Sequence, residues 1–144
     1  MNHYHKIIKS SFFSLLALVL IFSISACSKK VRFENSSVVP AAEGKVKISK
    51  NDNGNYQLDF NIVNLAEPSK LTPSKKYYVV WMETKENGLK NLGQLKSSSG
   101  YFSSLLKAEM RAITPYKPIK VFITAENDPI VENPGNVIFS TSKF

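Results

Sequence analysis

Cysteine and histidine are almost missing from this chain of 144 residues, which has one of the first and two of the second. Both histidines, His3 and His5, lie within the first 26 residues, and the one cysteine is Cys27. From Cys27 onward there is no imidazole and no second thiol. That excludes a Ser-His-Asp triad, a Cys-His pair, a Cys/His zinc site and any disulfide within the chain. Tryptophan occurs once, as Trp81. Long apolar runs are equally scarce: the one candidate, Phe12–Ile24, has 13 residues. A membrane-spanning helix needs roughly 20. The length suits one domain with a core of useful size, not two.

That short run belongs to a pattern with three parts. Lys6 and Lys9 form a positive start, Phe12–Ile24 an apolar middle, and Ser25-Ala26 a small-residue end directly before Cys27. Residues 1–26 therefore read as a signal peptide. Ile24-Ser25-Ala26-Cys27 resembles the bacterial lipobox, in which the thiol is lipidated and the chain is then cut on its N-terminal side. The resemblance implies a palmitate-bearing Cys27 and a membrane-anchored, extracytoplasmic protein. Each buried CH₂ of an acyl chain contributes about 0.8 kcal/mol, so two or three chains hold a protein on a bilayer without a transmembrane helix. Ser28 stands where an Asp favours inner-membrane retention in enteric lipoproteins, so by the same resemblance a diderm cell would send this chain to its outer membrane.

Cleavage before Cys27 leaves 118 residues, with 17 basic against 11 acidic side chains and a net charge of +6. Residues 27–43 read as a lipidated tether and flexible linker. Its start, Ser28-Lys29-Lys30-Val31-Arg32, sets three cations beside the headgroups, and Phe33–Glu43 shows no clear period. From Gly44 to the end the pattern is that of short strands and turns. Val46 and Ile48 alternate with polar residues, Asn51–Asn55 is a turn with an Asn-Gly hairpin signal, and Tyr56–Ile62 alternates strictly. The Asx cluster in that turn lacks the distant bidentate Glu of a calcium loop. Leu65–Ser74 contains Pro68 and Pro73 and reads as a loop. Tyr77–Met82 is continuously apolar, the mark of a strand buried on both faces or of one flanked by aromatics. Leu89, Leu92 and Leu95 around Gly93 fit a bulged strand. Ser97–Gly100 reads as a loop, Tyr101–Ile113 as either a strand or one or two helical turns, Ile119–Thr124 and Asn136–Ser140 as strands. About seven short strands with few helices predict an all-β fold, an antiparallel β-sandwich over residues 44–144.

Four fragments in order, Tyr78-Val79-Val80-Trp81, Leu92-Gly93, Thr124-Ala125-Glu126 and Pro134-Gly135, resemble the C-terminal extracytoplasmic domain of anti-sigma-K-type factors. The likeness covers about residues 44–141. It implies a β-sandwich and an envelope location, and it carries no catalytic residues with it. Regulatory members of that family have a cytoplasmic sigma-binding domain and a transmembrane helix before this module. Here a lipobox takes their place, so sigma-factor binding is not implied.

Trp81, with Tyr77 and Tyr78, is a possible binding platform. Its place at the centre of an apolar strand argues for core, with the Leu-Gly step opposite making room for the indole. Glu126, Asp128 and Glu132 share one Pro-rich loop, where three carboxylates can hold a hard cation, or two can act as acid and base on a glycan. A solvated acidic loop is the simpler reading. Ser104-Leu105-Leu106-Lys107 matches the Ser-x-x-Lys pattern of acyl-serine enzymes without that class's companion motifs, and is a chance match. The cations are scattered, so the +6 serves solubility first.

The favoured expectation is a lipid-anchored envelope protein whose domain works by binding an envelope protein or glycan, in sensing or signalling, without catalysis or cofactor. Two alternatives remain: a carboxylate-based glycan-acting enzyme using Glu126 and Asp128, and a structural lipoprotein holding an anionic envelope polymer. Nucleic acid is a poor partner for an exported protein.

Overall fold

The structure is a computed structural model, and it describes residues 28–99 and 106–144. Residues 1–27, which hold the signal-peptide and Cys27 readings, and residues 100–105, with Ser104, lie outside the described residues.

Alternating sequence becomes alternating burial. In β3 (Tyr56–Val63), Leu58, Phe60 and Ile62 point inward while Gln57, Asp59 and Asn61 face out. Seven further strands complete the fold: β1 (Lys29–Arg32), β2 (Glu43–Lys50), β4 (Tyr77–Thr84), β5 (Leu89–Ser99), β6 (Leu106–Thr114), β7 (Pro118–Glu126) and β8 (Val137–Ser140). They form one antiparallel sheet in the order β1-β2-β3-β6-β5-β4-β7-β8. The described residues are all-β, as expected, with eight strands for about seven. β5 joins the two halves of the sheet. Its first part, Leu89–Leu95, pairs with β4, and its last, Lys96–Ser99, pairs with β6. The sheet curls about this shared strand, so the two layers of the expected sandwich are halves of a single sheet.

Its two ends meet. Phe33 bridges Thr141, the Glu34 N–H donates to the Ser140 carbonyl at 2.8 Å, and the Ser36 hydroxyl donates to the Ile138 carbonyl. The rings of Phe33 and Phe139 stack at 4.6 Å. A curled sheet otherwise exposes two rows of unpaired backbone groups, and here the residues just after β1 cover the edge of β8. The interior holds Val31, Phe33, Val39 and Ala42 together with Val46, Phe60, Ile62, Val80, Leu95 and Ile123.

This corrects the flexible linker at residues 27–43. Val31, Phe33, Val39 and Ala42 are all buried, and β1 pairs with β2 from Lys29↔Ile48 to Arg32↔Lys45. The four apolar residues are spaced irregularly because they straddle a short strand and a turn, so no period announces them. Among the described residues the sheet therefore begins at Lys29. Ser97–Ser99 likewise extend β5 in place of the expected loop, and the ambiguous segment supplies the strand β6. Leu65–Ser74 is a loop containing one short 3-10 turn, Pro68–Lys70.

At the turn between β2 and β3, the Asn51 carboxamide oxygen accepts from the Asn53 and Asn55 N–H groups at 3.1 and 3.0 Å, and Gly54 takes φ +76°. The Asx cluster closes a hairpin, as its residues predict.

Candidate functional site

β4 is buried on both faces, which is why its sequence is apolar without alternation. Tyr78, Val80 and Met82 face the main core. Val79 and Trp81 face outward, where they form a second small cluster with Phe122 of β7. The Trp81 and Phe122 rings stack with planes 8° apart and centroids at 6.3 Å. The indole N–H donates to the Thr124 hydroxyl at 2.9 Å, so the one polar atom of the ring is satisfied inside a buried patch. Trp81 is 1% exposed, which makes it core and not a platform.

The lid of this cluster is the β7–β8 loop. Val131 packs on it, and the Asn91 carboxamide donates to the Pro129 and Val131 carbonyls at 3.2 and 3.4 Å. At the root of the loop the Gly135 N–H donates to Glu126 Oε1 at 2.7 Å, and Glu126 is 8% exposed. Glu126 is thus a buried brace of the loop. Asp128 accepts from the Ile130 N–H at 2.8 Å, a local turn contact, and Glu132 lies on the exposed side. The structure does not gather Glu126, Asp128 and Glu132 into one site: among the described residues no three His, Cys, Asp or Glu side chains are grouped as a metal ion would require. Sequence proximity misled because each of these carboxylates serves, or faces, a different part of the loop.

The loop is pinned at three places, yet it presents Ile130 88% exposed. The sequence reading missed both Ile130 and the anchor under it. The available signal was an apolar pair, Ile130-Val131, within an otherwise polar, Pro-flanked loop.

The glycine of the Leu-Gly step does not make room for the indole. Gly93 lies opposite Val80, and Leu92 is the extra residue of a bulge before Asn91 meets Trp81. Gly93 adopts φ +112°, with its N–H held at 2.8 Å by the Asn91 side chain. A Cβ there would meet only the Met110 methyl at 3.6 Å, so the backbone conformation, not the space, calls for glycine.

Elsewhere the exposed strand positions are mixed, with Leu89, Ile113 and Val137 among polar residues. Asp59 sits between Gln57 and Arg111, accepting from both at 2.9 and 2.5 Å. Burial pushes its carboxyl up. The hydrogen bonds from Arg111 and Gln57, with the charges of Arg111 and Lys47, outweigh that and hold it below the usual aspartate value. Burial pushes the Tyr78 phenol up to about 12, and its hydroxyl donates to the Ala66 carbonyl at 2.6 Å. This contact ties the long β3–β4 loop to β4.

No helix among the described residues is long and apolar enough to cross a membrane. Comparison of the chain with protein-family models, with curated proteins and with solved structures returned no match.

Proposed function

We propose that this chain is a lipid-anchored cell-envelope protein whose β domain binds a partner, an envelope protein or glycan, through the β7–β8 loop, in envelope sensing or signalling and without catalysis. The observation that carries the binding reading is the combination of a braced loop and an exposed apolar tip. Holding a loop in place by Glu126, Asn91 and Val131 while leaving Ile130 in water gives a pre-ordered contact residue. Such a residue loses little conformational entropy on association, which favours binding. The anchor reading rests on Ile24-Ser25-Ala26-Cys27 and the signal-like run before it.

The two parts are tested separately. Palmitate incorporation that disappears in Cys27→Ala supports the anchor, and retained incorporation sinks it. For the loop, a photo-crosslinking amino acid is placed at position 130, with Ser142 as an exposed control. A discrete adduct from intact envelopes at 130 but not at 142 is the expected result. Identical adduct patterns at the two positions would overturn the loop as a binding site.

A further inference from the structure

We propose that the outward face of β1 and β2 is a docking surface for anionic lipid headgroups, laying the domain against the membrane that holds its anchor; this rests on the lipid-anchor reading of Cys27. The argument begins with register. Lys30 pairs with Lys47 and Arg32 with Lys45, so four cations oppose each other directly across two strands. Val31 and Val46 between them point into the core, which puts all four on the outer face, and all four are exposed. Opposed side chains in such a ladder stand about 5 Å apart at Cβ, and neighbours along one face of a strand about 7 Å apart. Like charges so placed destabilise a sheet.

The acids nearby relieve this crowding only in part. Asp59, opposite Lys47 on β3, feels the Lys47 charge but is held by Arg111. Glu109 accepts from Asn61 at 3.0 Å, and Glu43 is the one carboxylate on the same face of β2. Among the described residues none of the four cations has an ion-pair partner. Arg32 and Lys45 also line, with Glu43, Asn35 and Asn61, an open groove of about 470 Å³.

Position selects the occupant. Lys30 follows Cys27 by three residues, so an extended chain carries it no more than about 10 Å from the lipidated residue. That reach is comparable with the Debye length of about 8–10 Å at 0.1–0.15 M salt, the range over which the negative surface potential of an anionic leaflet acts on cations. β1 begins at Lys29, two residues after Cys27 in the sequence, so the sheet starts close to the anchor. Each cation reaching such a surface favours the docked orientation by about fivefold.

The test uses the full chain as its own cells process it, reconstituted on vesicles of phosphatidylcholine alone or with about 30 mol % phosphatidylglycerol. Lysine acylation is then followed residue by residue. The expected result is about three- to tenfold slower acylation of Lys30, Lys45 and Lys47 on the anionic vesicles, abolished by about 0.5 M salt, with Lys75 and Lys143 unchanged. In Lys45→Gln/Lys47→Gln, protection of Lys30 should fall towards the neutral-vesicle value. Equal acylation on both vesicles overturns the proposal. So does equal protection by soluble polyphosphate or inorganic phosphate without vesicles, which would assign the face to a polymer or a free anion. Failure of the anchor reads out differently: no palmitate at Cys27, and no flotation with pure phosphatidylcholine vesicles. In that case the added vesicles still report the face through the acylation ratio.

Discussion

The Gly135 N–H points at the buried Glu126 carboxylate from 2.7 Å, and a Cβ on residue 135 would lie 3.0 Å from both of its oxygens. The glycine is there for close approach of the backbone to a charge, and the carboxylate is there to receive it. A hydrogen bond to a charged group contributes about 1.5–3 kcal/mol. Gly135→Ala must push the carboxylate aside and should cost about 1–2 kcal/mol, as should Glu126→Gln. Glu126→Gln keeps an acceptor oxygen but loses its charge, so both variants weaken the same contact and the double variant should cost less than the sum of the two. Urea unfolding of the three variants checks this, and full additivity would show that the two residues are independent.

The single tryptophan makes the seat of the loop measurable. Trp81 is enclosed by Val79, Phe122 and Val131, with its N–H on Thr124. Its fluorescence should be that of an indole out of water. Val131→Ala thins the cover, shifts the emission to the red and costs about 1 kcal/mol. Thr124→Val leaves the indole N–H buried without an acceptor and should cost about 1–3 kcal/mol with little spectral change. If Val131→Ala leaves the emission unmoved, the loop does not cover the ring in solution.

Strand positions were legible where period or punctuation was clean. Tyr56–Ile62 alternates and forms β3, Tyr77–Met82 is unbroken and lies in the doubly buried β4, and Asn51–Asn55 turns. What sequence could not supply was pairing across the fold. The β1 cations look like a tether until β1 is set beside β2, because their opposition is a matter of register. Glu126 looks like a loop acid until the chain returns with Gly135 nine residues later. Phe33 and Val39 look irregular because they meet strands from both ends of the sheet.

The Asp59 carboxyl, lowered by Arg111, Gln57 and Lys47 against the effect of burial, gives a pH signature of known sign. Its folded pKa lies below the unfolded value of about 3.9, so its contribution is complete above that value and is lost as pH falls through the folded pKa. The Arg111 partner is 67% exposed, which limits the pair to the surface range of about 0.2–1 kcal/mol. Asp59→Asn should therefore lower the Tm modestly at neutral pH, and the gap from wild type should close on acidification below about pH 4. Thermal scans across pH 2 to 6 read this directly. A gap that widens in acid contradicts the direction of the shift.

Residues 29–43 are the part of the fold most easily mistaken for a linker, since β1 pairs with β2 while Phe33 reaches Thr141 beyond β8. Gly44 packs against both rings: a Cβ there would lie 2.9 Å from Phe33 and 2.8 Å from Phe139. Those rings stack on each other and fasten the first strand of the sheet to the last. Phe33→Ala should cost about 3–5 kcal/mol, as for other buried aromatic truncations. Gly44→Ala should cost about 1–3 kcal/mol through overpacking. A chain beginning at Gly44 would lose β1 and Phe33 together, exposing the edge of β2, the edge of β8 and the underside of Phe139. It should be unfolded or aggregated, where a true linker could be removed at no cost. Circular dichroism and hydrogen exchange on this truncation decide the matter, and native-like exchange protection in β2 and β8 would mean that residues 28–43 are dispensable after all.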